Sequence, residues 1–368
     1  MKKKNKIIIS GGGTGGHVFP ALAIAGEIKK RHEEDEILFV GASGRMEMEK
    51  IPASGYRIIG LPVRGFNRKN LLSNLGTVFK MIYSVSKAKE IINEFRPDIA
   101  VGVGGYASGP VLRVAGNKGI PTLLQEQNSY AGVTNRLLAR KARTICVAYP
   151  GMEKYFPENK IVLTGNPVRK NFARMSDKAP EAFKYFNIKP GKKVLLVTGG
   201  SLGARTINQS IMHQIRLLSD HDAPEVIWQT GKIYYDDSKS FLAGCQAENI
   251  RLFEFLDHMD LAYSAADVII SRAGAVTISE LCIVGKPVIL VPSPNVAEDH
   301  QTKNAMALVN REAAIMVSDG KAREELVPRA IELLHDAKTR TQLATNIKLM
   351  ALENAVERIV DEIYKLIR

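Results

Sequence analysis

Short runs rich in Ile, Val and Leu alternate with longer amphipathic segments along the whole chain, and this alternation constrains the fold more than any other feature. A run that is apolar at consecutive positions suits a strand buried on both faces. Strands alternating with helical segments are the pattern of a parallel sheet covered on both sides. Strands are expected at 6–10, 36–40, 57–63, 98–102, 121–125 and 144–148. The pattern breaks near Gly165-Asn166-Pro167, where Pro167 pushes Asn166 out of helical geometry. A second series follows at 193–198, 225–230, 250–255, 267–271, 287–291 and 314–317. Both series open alike: Lys6-Ile7-Ile8-Ile9-Ser10 runs into Gly11-Gly12-Gly13-Thr14-Gly15-Gly16, and Val194-Leu195-Leu196-Val197-Thr198 into Gly199-Gly200-Ser201-Leu202-Gly203. Two doubly wound, Rossmann-like α/β domains facing across a cleft are expected, joined near residue 165. After about residue 335 the chain reads as helical to its end, with one apolar stripe at Val356, Val360, Ile363 and Ile367.

Length and charge narrow the class. A chain of 368 residues is long for one domain and comfortable for two. Lys and Arg outnumber Asp and Glu by 51 to 38, a net +13 that suggests an anionic partner. Cys146, Cys245 and Cys282 have no metal-like spacing and read as ordinary apolar residues of a reducing compartment. The apolar run after the first lysines, Ile7-Ile8-Ile9, is too short for a signal peptide. No apolar stretch approaches the ~18 residues of a spanning helix. A cytosolic protein with peripheral membrane contact is expected.

Several segments can carry chemistry. The loop 11–17 has glycines that allow close backbone approach and leads into a helix N-terminus, which suits a phosphate or pyrophosphate. No Lys follows the glycines, so it is not a P-loop. A dinucleotide site would want an acidic residue at the end of the second strand, and Val40-Gly41-Ala42-Ser43 stands there instead. His17 sits where ligands bind in open α/β sheets; it is either a general base for an acceptor hydroxyl or a histidine bonded only to its loop. In Ser271-Arg272-Ala273-Gly274-Ala275-Val276-Thr277-Ile278-Ser279-Glu280, small residues open a helix toward a diphosphate. Glu280 would hold a ribose diol, or is an ordinary early-helix Glu. The turns at 199–205 and 104–110 are either further anion loops or tight βα turns.

Leu72, Leu75, Phe79 and Ile82 share one helical face, flanked by Arg64, Arg68, Lys69, Lys80, Lys87 and Lys89. Such a helix can lie on an anionic leaflet, although the expected role of this face in a crossover helix is packing on the sheet. Leu71 and Leu72 are the residues expected at the surface. Asp220-His221-Asp222 reads as a surface loop rather than a metal site, and no nucleic-acid module is present.

These motifs, in order, resemble the MurG family of N-acetylglucosaminyltransferases. The resemblance rests on Gly11-Gly12-Gly13-Thr14-Gly15-Gly16-His17-Val18-Phe19-Pro20-Ala21, Gly104-Gly105-Tyr106-Ala107-Ser108-Gly109-Pro110 and Glu126-Gln127-Asn128. It continues through Gly165-Asn166-Pro167-Val168-Arg169, Gly199-Gly200-Ser201-Leu202-Gly203-Ala204-Arg205, Gly274 to Glu280 and Asp299-His300-Gln301-Thr302-Lys303-Asn304-Ala305. It implies a GT-B fold, with an acceptor and membrane-contacting domain at 1–165. A UDP-N-acetylglucosamine domain would occupy 166–345, and a helix at 346–368 would return to the first domain. It also implies an inverting transfer of N-acetylglucosamine from UDP to the 4-hydroxyl of N-acetylmuramic acid in lipid I, on the cytoplasmic side of the cell membrane, with His17 as candidate base and no metal, cofactor or nucleic acid. On the donor side it places Thr14, Gly15, Gly16, Asn128, Arg169, Ser201, Leu256, Ala275, Val276, Thr277, Glu280 and Gln301. Toward the acceptor pyrophosphate it places Gly13, Thr14, Gly104, Gly105 and Tyr106. Gln125 stands where many members have His, so nothing titrates near neutrality there. A UDP-N-acetylglucosamine epimerase, a glycolipid synthase and a non-catalytic sugar-nucleotide-binding subunit are the competing readings.

Overall fold

The structure is a computed structural model that describes residues 4–63, 75–168, 172, 176–189, 191–200, 202–220 and 222–367. The chain divides into two compact units: residues 1–168 together with 354–368, and residues 169–353.

The first unit runs β1 (Lys6–Ser10), α1 (Gly15–Arg31), β2 (Glu36–Ala42), α2 (Glu47–Ala53), β3 (Arg57–Leu61), α3 (Leu75–Phe95), β4 (Ile99–Gly102), α4 (Ser108–Asn117), β5 (Thr122–Glu126), α5 (Val133–Leu138), β6 (Thr144–Val147) and β7 (Ile161–Leu163). Its strands form a seven-stranded parallel sheet in the order β3-β2-β1-β4-β5-β6-β7. The second unit runs α6 (Pro180–Tyr185), β8 (Val194–Thr198), α7 (Arg205–His213), β9 (Glu225–Gln229), α8 (Tyr235–Ala243), β10 (Ile250–Phe253), α9 (Met259–Ala265), β11 (Val268–Ser271), α10 (Ala275–Val284), β12 (Val288–Leu290), α11 (His300–Val309), β13 (Ile315–Met316), α12 (Ala322–His335) and α13 (Ala337–Leu349). Its parallel sheet has the order β10-β9-β8-β11-β12-β13. Every expected strand is present. Strand β7 escaped the sequence reading because its apolar run, Ile161-Val162-Leu163, is only three residues long and half-buried at the sheet's edge.

The continuous apolar runs do what burial on both faces requires. Ile8 packs with Leu38, Val40 and Ala100 on one side of the first sheet. Ile7 and Ile9 point to the other side, among Val18, Ile24, Ile28 and Phe39. The last helix, α14 (Ala355–Ile367), completes that second face with Ile359, Val360 and Ile363, all fully buried. Burying each aliphatic side chain is worth about 1.5–3 kcal/mol, so the helix is a structural part of the first unit although its sequence follows the second. Polar contacts fix its register: Arg31 Nη1 donates to Asp361 Oδ1 at 2.5 Å, and the Tyr364 hydroxyl to buried Asp35 at 2.7 Å.

The unit boundaries fall later than the sequence suggests. Asn166 remains tied to the first unit through Gln125 and Gln127. Helix α13 packs on α10 and α12 of the second unit, so the return to the first begins only after Glu353.

Helix α3 reverses one expectation. Phe79 and Ile82 do not pack on the sheet but are 72% and 63% exposed, as is Tyr83 at 57%. The buried face of α3 is Ser84, Ala88, Ile91, Ile92 and Phe95, roughly the opposite side of the helix. Leu71, Leu72, Arg64, Arg68 and Lys69 lie outside the described residues. Among the described residues no helix is long and apolar enough to cross a membrane.

Candidate active site

In an open parallel sheet, ligands bind beyond the carboxyl ends of the strands, at the point where the strand order reverses. In the first unit that point lies between β1 and β4. The loops leaving these two strands are Gly11-Gly12-Gly13 and Gly104-Gly105. In the second unit it lies between β8 and β11, whose loops are Gly199-Gly200 and Ala273-Gly274-Ala275. Each unit therefore puts its two glycine-rich turns side by side, which no local signal announces.

In the first unit the glycines make room for particular neighbours. A Cβ at Gly104 would lie 2.8 Å from both Cδ2 and Nε2 of His17 and 3.5 Å from Oε1 of Gln127. A Cβ at Gly105 would lie 2.3 Å from the Gly12 carbonyl oxygen, and its φ of +84° disfavours any side chain. The His17 Nδ1 lies 3.1 Å from that same carbonyl and 3.3 Å from Thr14 Oγ1. A carbonyl oxygen only accepts, so this contact is a hydrogen bond in the tautomer that carries its proton on Nδ1, which leaves the lone pair on Nε2. Helix α1 starts at Gly15 with no acidic residue in its first turn, leaving the Gly15 and Gly16 N–H groups and the positive dipole end to favour an anion. Tyr106, which follows Gly105, is half exposed.

The Gly13 N–H is not available to a phosphate. Both carboxylate oxygens of Glu47 accept it at 3.0 Å, and Oε1 also accepts the Ala42 N–H at 3.0 Å. Glu47 is fully buried. Sequence reasoning missed it: an acidic residue was sought at the end of the second strand, and this one arrives from the start of α2. The signal was Gly41 and Gly12, where a Cβ would come within 2.7 Å of Glu47 Cγ and 2.1 Å of its Oε1.

Gln125 and Gln127 form a second buried layer. Gln127 Nε2 donates to the Val103 carbonyl at 2.8 Å and to Gln125 Oε1, and Gln125 Nε2 donates to Asn166 Oδ1 at 3.0 Å. Asn166 Nδ2 closes the ring on the Gln127 carbonyl at 3.0 Å. Amides satisfy this network without titrating. Beside it, buried Glu126 accepts from Asn128 N (3.1 Å) and Nδ2 (3.2 Å), Gly132 N (3.1 Å) and Asn135 Nδ2 (2.9 Å). Burial pushes the Glu126 carboxyl above its ordinary range, and these donors oppose the shift. Asn128 is thereby held in place by the residue two positions before it.

In the second unit, α10 begins directly after Gly274, and the N–H groups of Val276 and Thr277 have no acceptor within the helix. Glu280 lies on the second turn, 9% exposed. Arg272 is committed elsewhere, to Asp319 Oδ1 at 2.5 Å and the Val291 carbonyl at 3.0 Å. Gln301 Oε1 accepts the Ser293 N–H at 2.8 Å, tying α11 to the loop after β12. Leu256, three residues beyond β10, is buried. Arg169 and Ser201 lie outside the described residues. Asp220 and Asp222 are exposed, and Cys146 and Cys282 are buried, the Cys282 thiol pushed up to about 12 by burial.

Comparison with known proteins defines the class. Residues 7–147 match the Glycosyltransferase family 28 N-terminal domain and residues 194–361 its C-terminal domain, so the chain is a family 28 glycosyltransferase. It is 56% identical over 365 residues, 99% of both chains, to a protein of Parabacteroides distasonis. It is 54% identical over 366 residues, covering 100% of this chain and 98% of the relative, to one of Cytophaga hutchinsonii. Both relatives bear the name UDP-N-acetylglucosamine–N-acetylmuramyl-(pentapeptide) pyrophosphoryl-undecaprenol N-acetylglucosamine transferase. The crystal structure of Acinetobacter baumannii MurG superposes with a TM-score of 0.80 at 28% identity, covering 99% of this chain and 100% of that one. The chain belongs to the MurG family, and the fold is GT-B. A UDP-GlcNAc 2-epimerase from Neisseria meningitidis matches with a TM-score of 0.66 at 15% identity, covering 99% of this chain and 100% of that one, which shows a shared fold alone.

Proposed function

We propose that the enzyme transfers N-acetylglucosamine from UDP-N-acetylglucosamine to the 4-hydroxyl of N-acetylmuramic acid in lipid I, an undecaprenyl-pyrophosphoryl-muramyl-pentapeptide, yielding lipid II. The observation that supports the reading is His17 at the switch point of the first sheet, its Nδ1 3.1 Å from the Gly12 carbonyl, an arrangement in which Nε2 would serve as the base. In a single displacement the acceptor hydroxyl oxygen bonds to the anomeric carbon from the face opposite UDP. Its proton passes to His17 Nε2, the bond from that carbon to the UDP oxygen breaks, and the electron pair leaves with UDP.

Residue roles follow the same reading. Glu280 holds the ribose, with Ala275, Val276, Thr277 and Ser201 at the nucleotide and its phosphates and the Leu256 backbone at uracil. Gln301, Asn128 and Arg169 serve the sugar or diphosphate. Preorganised N–H groups at a helix start stabilise a departing diphosphate without reorganising at the moment of reaction. Gly15 and Gly16 serve the donor side, Thr14 both substrates, and Gly104, Gly105 and Tyr106 the acceptor pyrophosphate, Gly13 contributing space rather than its N–H. The division of labour, acceptor to the first unit and donor to the second, belongs to this proposal.

The lipid acceptor requires contact with a membrane. Exposed Phe79, Ile82 and Tyr83, with Lys80 and Lys89 nearby, support peripheral attachment to an anionic surface, which for this substrate is the cytoplasmic leaflet.

The test is transfer of radiolabel from UDP-N-acetylglucosamine to a short-chain lipid I analogue, with a His17→Ala variant alongside. Label in a β-1,4 linkage on the lipid, and a variant slowed on the order of 10²-fold or more, is the expected result. Transfer with an unimpaired variant would discard His17 as base, and no transfer at all despite UDP-sugar binding would discard the activity.

A further inference from the structure

We propose that Glu47 is a positioning residue for His17, acting through the peptide bond between Gly12 and Gly13. That peptide is planar and trans, so its C=O and N–H point in opposite directions. On one side the Gly13 N–H is gripped by both Glu47 oxygens at 3.0 Å. On the other the Gly12 carbonyl accepts from His17 Nδ1 at 3.1 Å. Carboxylate, peptide and imidazole thus form one hydrogen-bonded line, with a single peptide unit standing between acid and base.

The line has two physical consequences. Rotation of the Gly12–Gly13 peptide would leave Nδ1 with the Thr14 hydroxyl at 3.3 Å, which can donate as well as accept, and the tautomer with the proton on Nε2 would then compete. A glycine pair has little intrinsic preference against such rotation, Gly12 having φ +147° and Gly13 φ +90°; the grip of Glu47 supplies it. The second consequence is electrostatic. A negative charge on the N–H side polarises the peptide so that its carbonyl becomes a stronger acceptor, as in any chain of hydrogen bonds. The bond to Nδ1 is therefore strongest when Nε2 has taken the acceptor's proton and the ring is positive. In hydrolytic triads a carboxylate does this by touching the imidazole directly; here the same charge acts one peptide away.

The surroundings are shaped for this line. Glu47 is fully buried, and its Oε1 is held from a second direction by the Ala42 N–H at 3.0 Å. Side chains are excluded along it. A Cβ on Gly12 would meet Glu47 Oε1 at 2.1 Å, one on Gly105 would meet the Gly12 oxygen at 2.3 Å, and one on Gly104 would meet the His17 ring at 2.8 Å.

The inference rests on His17 being the base, and the experiment separates the two. Enzyme carrying 15N-labelled histidine, with the His17 signals identified by their loss in His17→Ala, should show Nδ1 protonated and Nε2 unprotonated in the neutral ring. The opposite tautomer in the unsubstituted enzyme would overturn the proposal without any variant at Glu47. Glu47→Gln keeps the volume but removes the charge, and should lower kcat by roughly 10- to 100-fold, part of the 10²–10⁴ a positioned base supplies. The KM for UDP-N-acetylglucosamine should not move. In the His17→Ala background the same substitution should cost nothing further. Losses that multiply in the double variant, or an unchanged kcat in Glu47→Gln, would remove the relay and leave His17 as base. An unimpaired His17→Ala would remove both.

Discussion

Replacing Ile363 by Ala tests the claim that the last helix is core of the first unit. Ile363 is fully buried in one hydrophobic cluster with Ile7, Ile9, Ile24 and Val101. A buried Ile→Ala change costs about 2–5 kcal/mol. At about 2–4 °C per kcal/mol for a unit of this size, the first unit's transition should fall by roughly 4–20 °C. The chain contains one tryptophan, Trp228, fully buried in the second unit with its indole N–H on Asn208 Oδ1 at 3.0 Å. Its fluorescence therefore follows the second unit, whereas far-ultraviolet circular dichroism follows both. Thermal unfolding of Ile363→Ala should split into an early dichroism phase and a Trp228 transition that stays within about 2 °C of the unsubstituted protein. A Trp228 transition lowered as much as the dichroism, or an early phase that never separates, would refute the assignment of α14 to the first unit.

Two further outcomes follow from the site and the surface. Glu280→Ala should raise the KM for UDP-N-acetylglucosamine by at least about 10-fold, the worth of one buried charged hydrogen bond, and leave the KM for the lipid acceptor unchanged; steady-state kinetics with each substrate varied in turn checks this. Phe79→Ser with Ile82→Ser should weaken cosedimentation with vesicles containing anionic lipid while moving the thermal midpoint by less than about 4 °C, since exposed substitutions usually stay within ~0.5 kcal/mol each; an unchanged vesicle affinity would remove this patch from the membrane surface.

Much of the fold was legible because its signals are local. Ile7-Ile8-Ile9 and Leu195-Leu196-Val197 are apolar at consecutive positions, and only a strand covered on both faces buries all of them. Glycines followed by a helix mark anion-ready turns wherever they occur. The stripe Val356, Val360 and Ile363 announced a one-sided helix correctly, and all three are buried. It did not announce against what. For α3 the stripe of Phe79 and Ile82 pointed the wrong way, because an apolar face and a core-facing side are the same signal in one dimension.

Glu47 shows the limit most clearly. In sequence it is one acidic residue at the start of a short helix, and its function depends on two glycines in different loops leaving the volume its carboxylate occupies. Strand order is a decision of the same kind. β1 lies between β2 and β4, and β8 between β9 and β11, through pairings that span long stretches of chain. Those pairings, set by the handedness of crossovers and by which faces must be buried, bring Gly12 beside Gly105 and Gly104 beside His17. The residues themselves determined the backbone each segment can adopt and the family to which the chain belongs. Only the tertiary structure decided which glycine loops adjoin, which nitrogen of His17 faces the Gly12 carbonyl, and which unit owns the last helix, because contacts between distant segments depend on packing rather than on local preference.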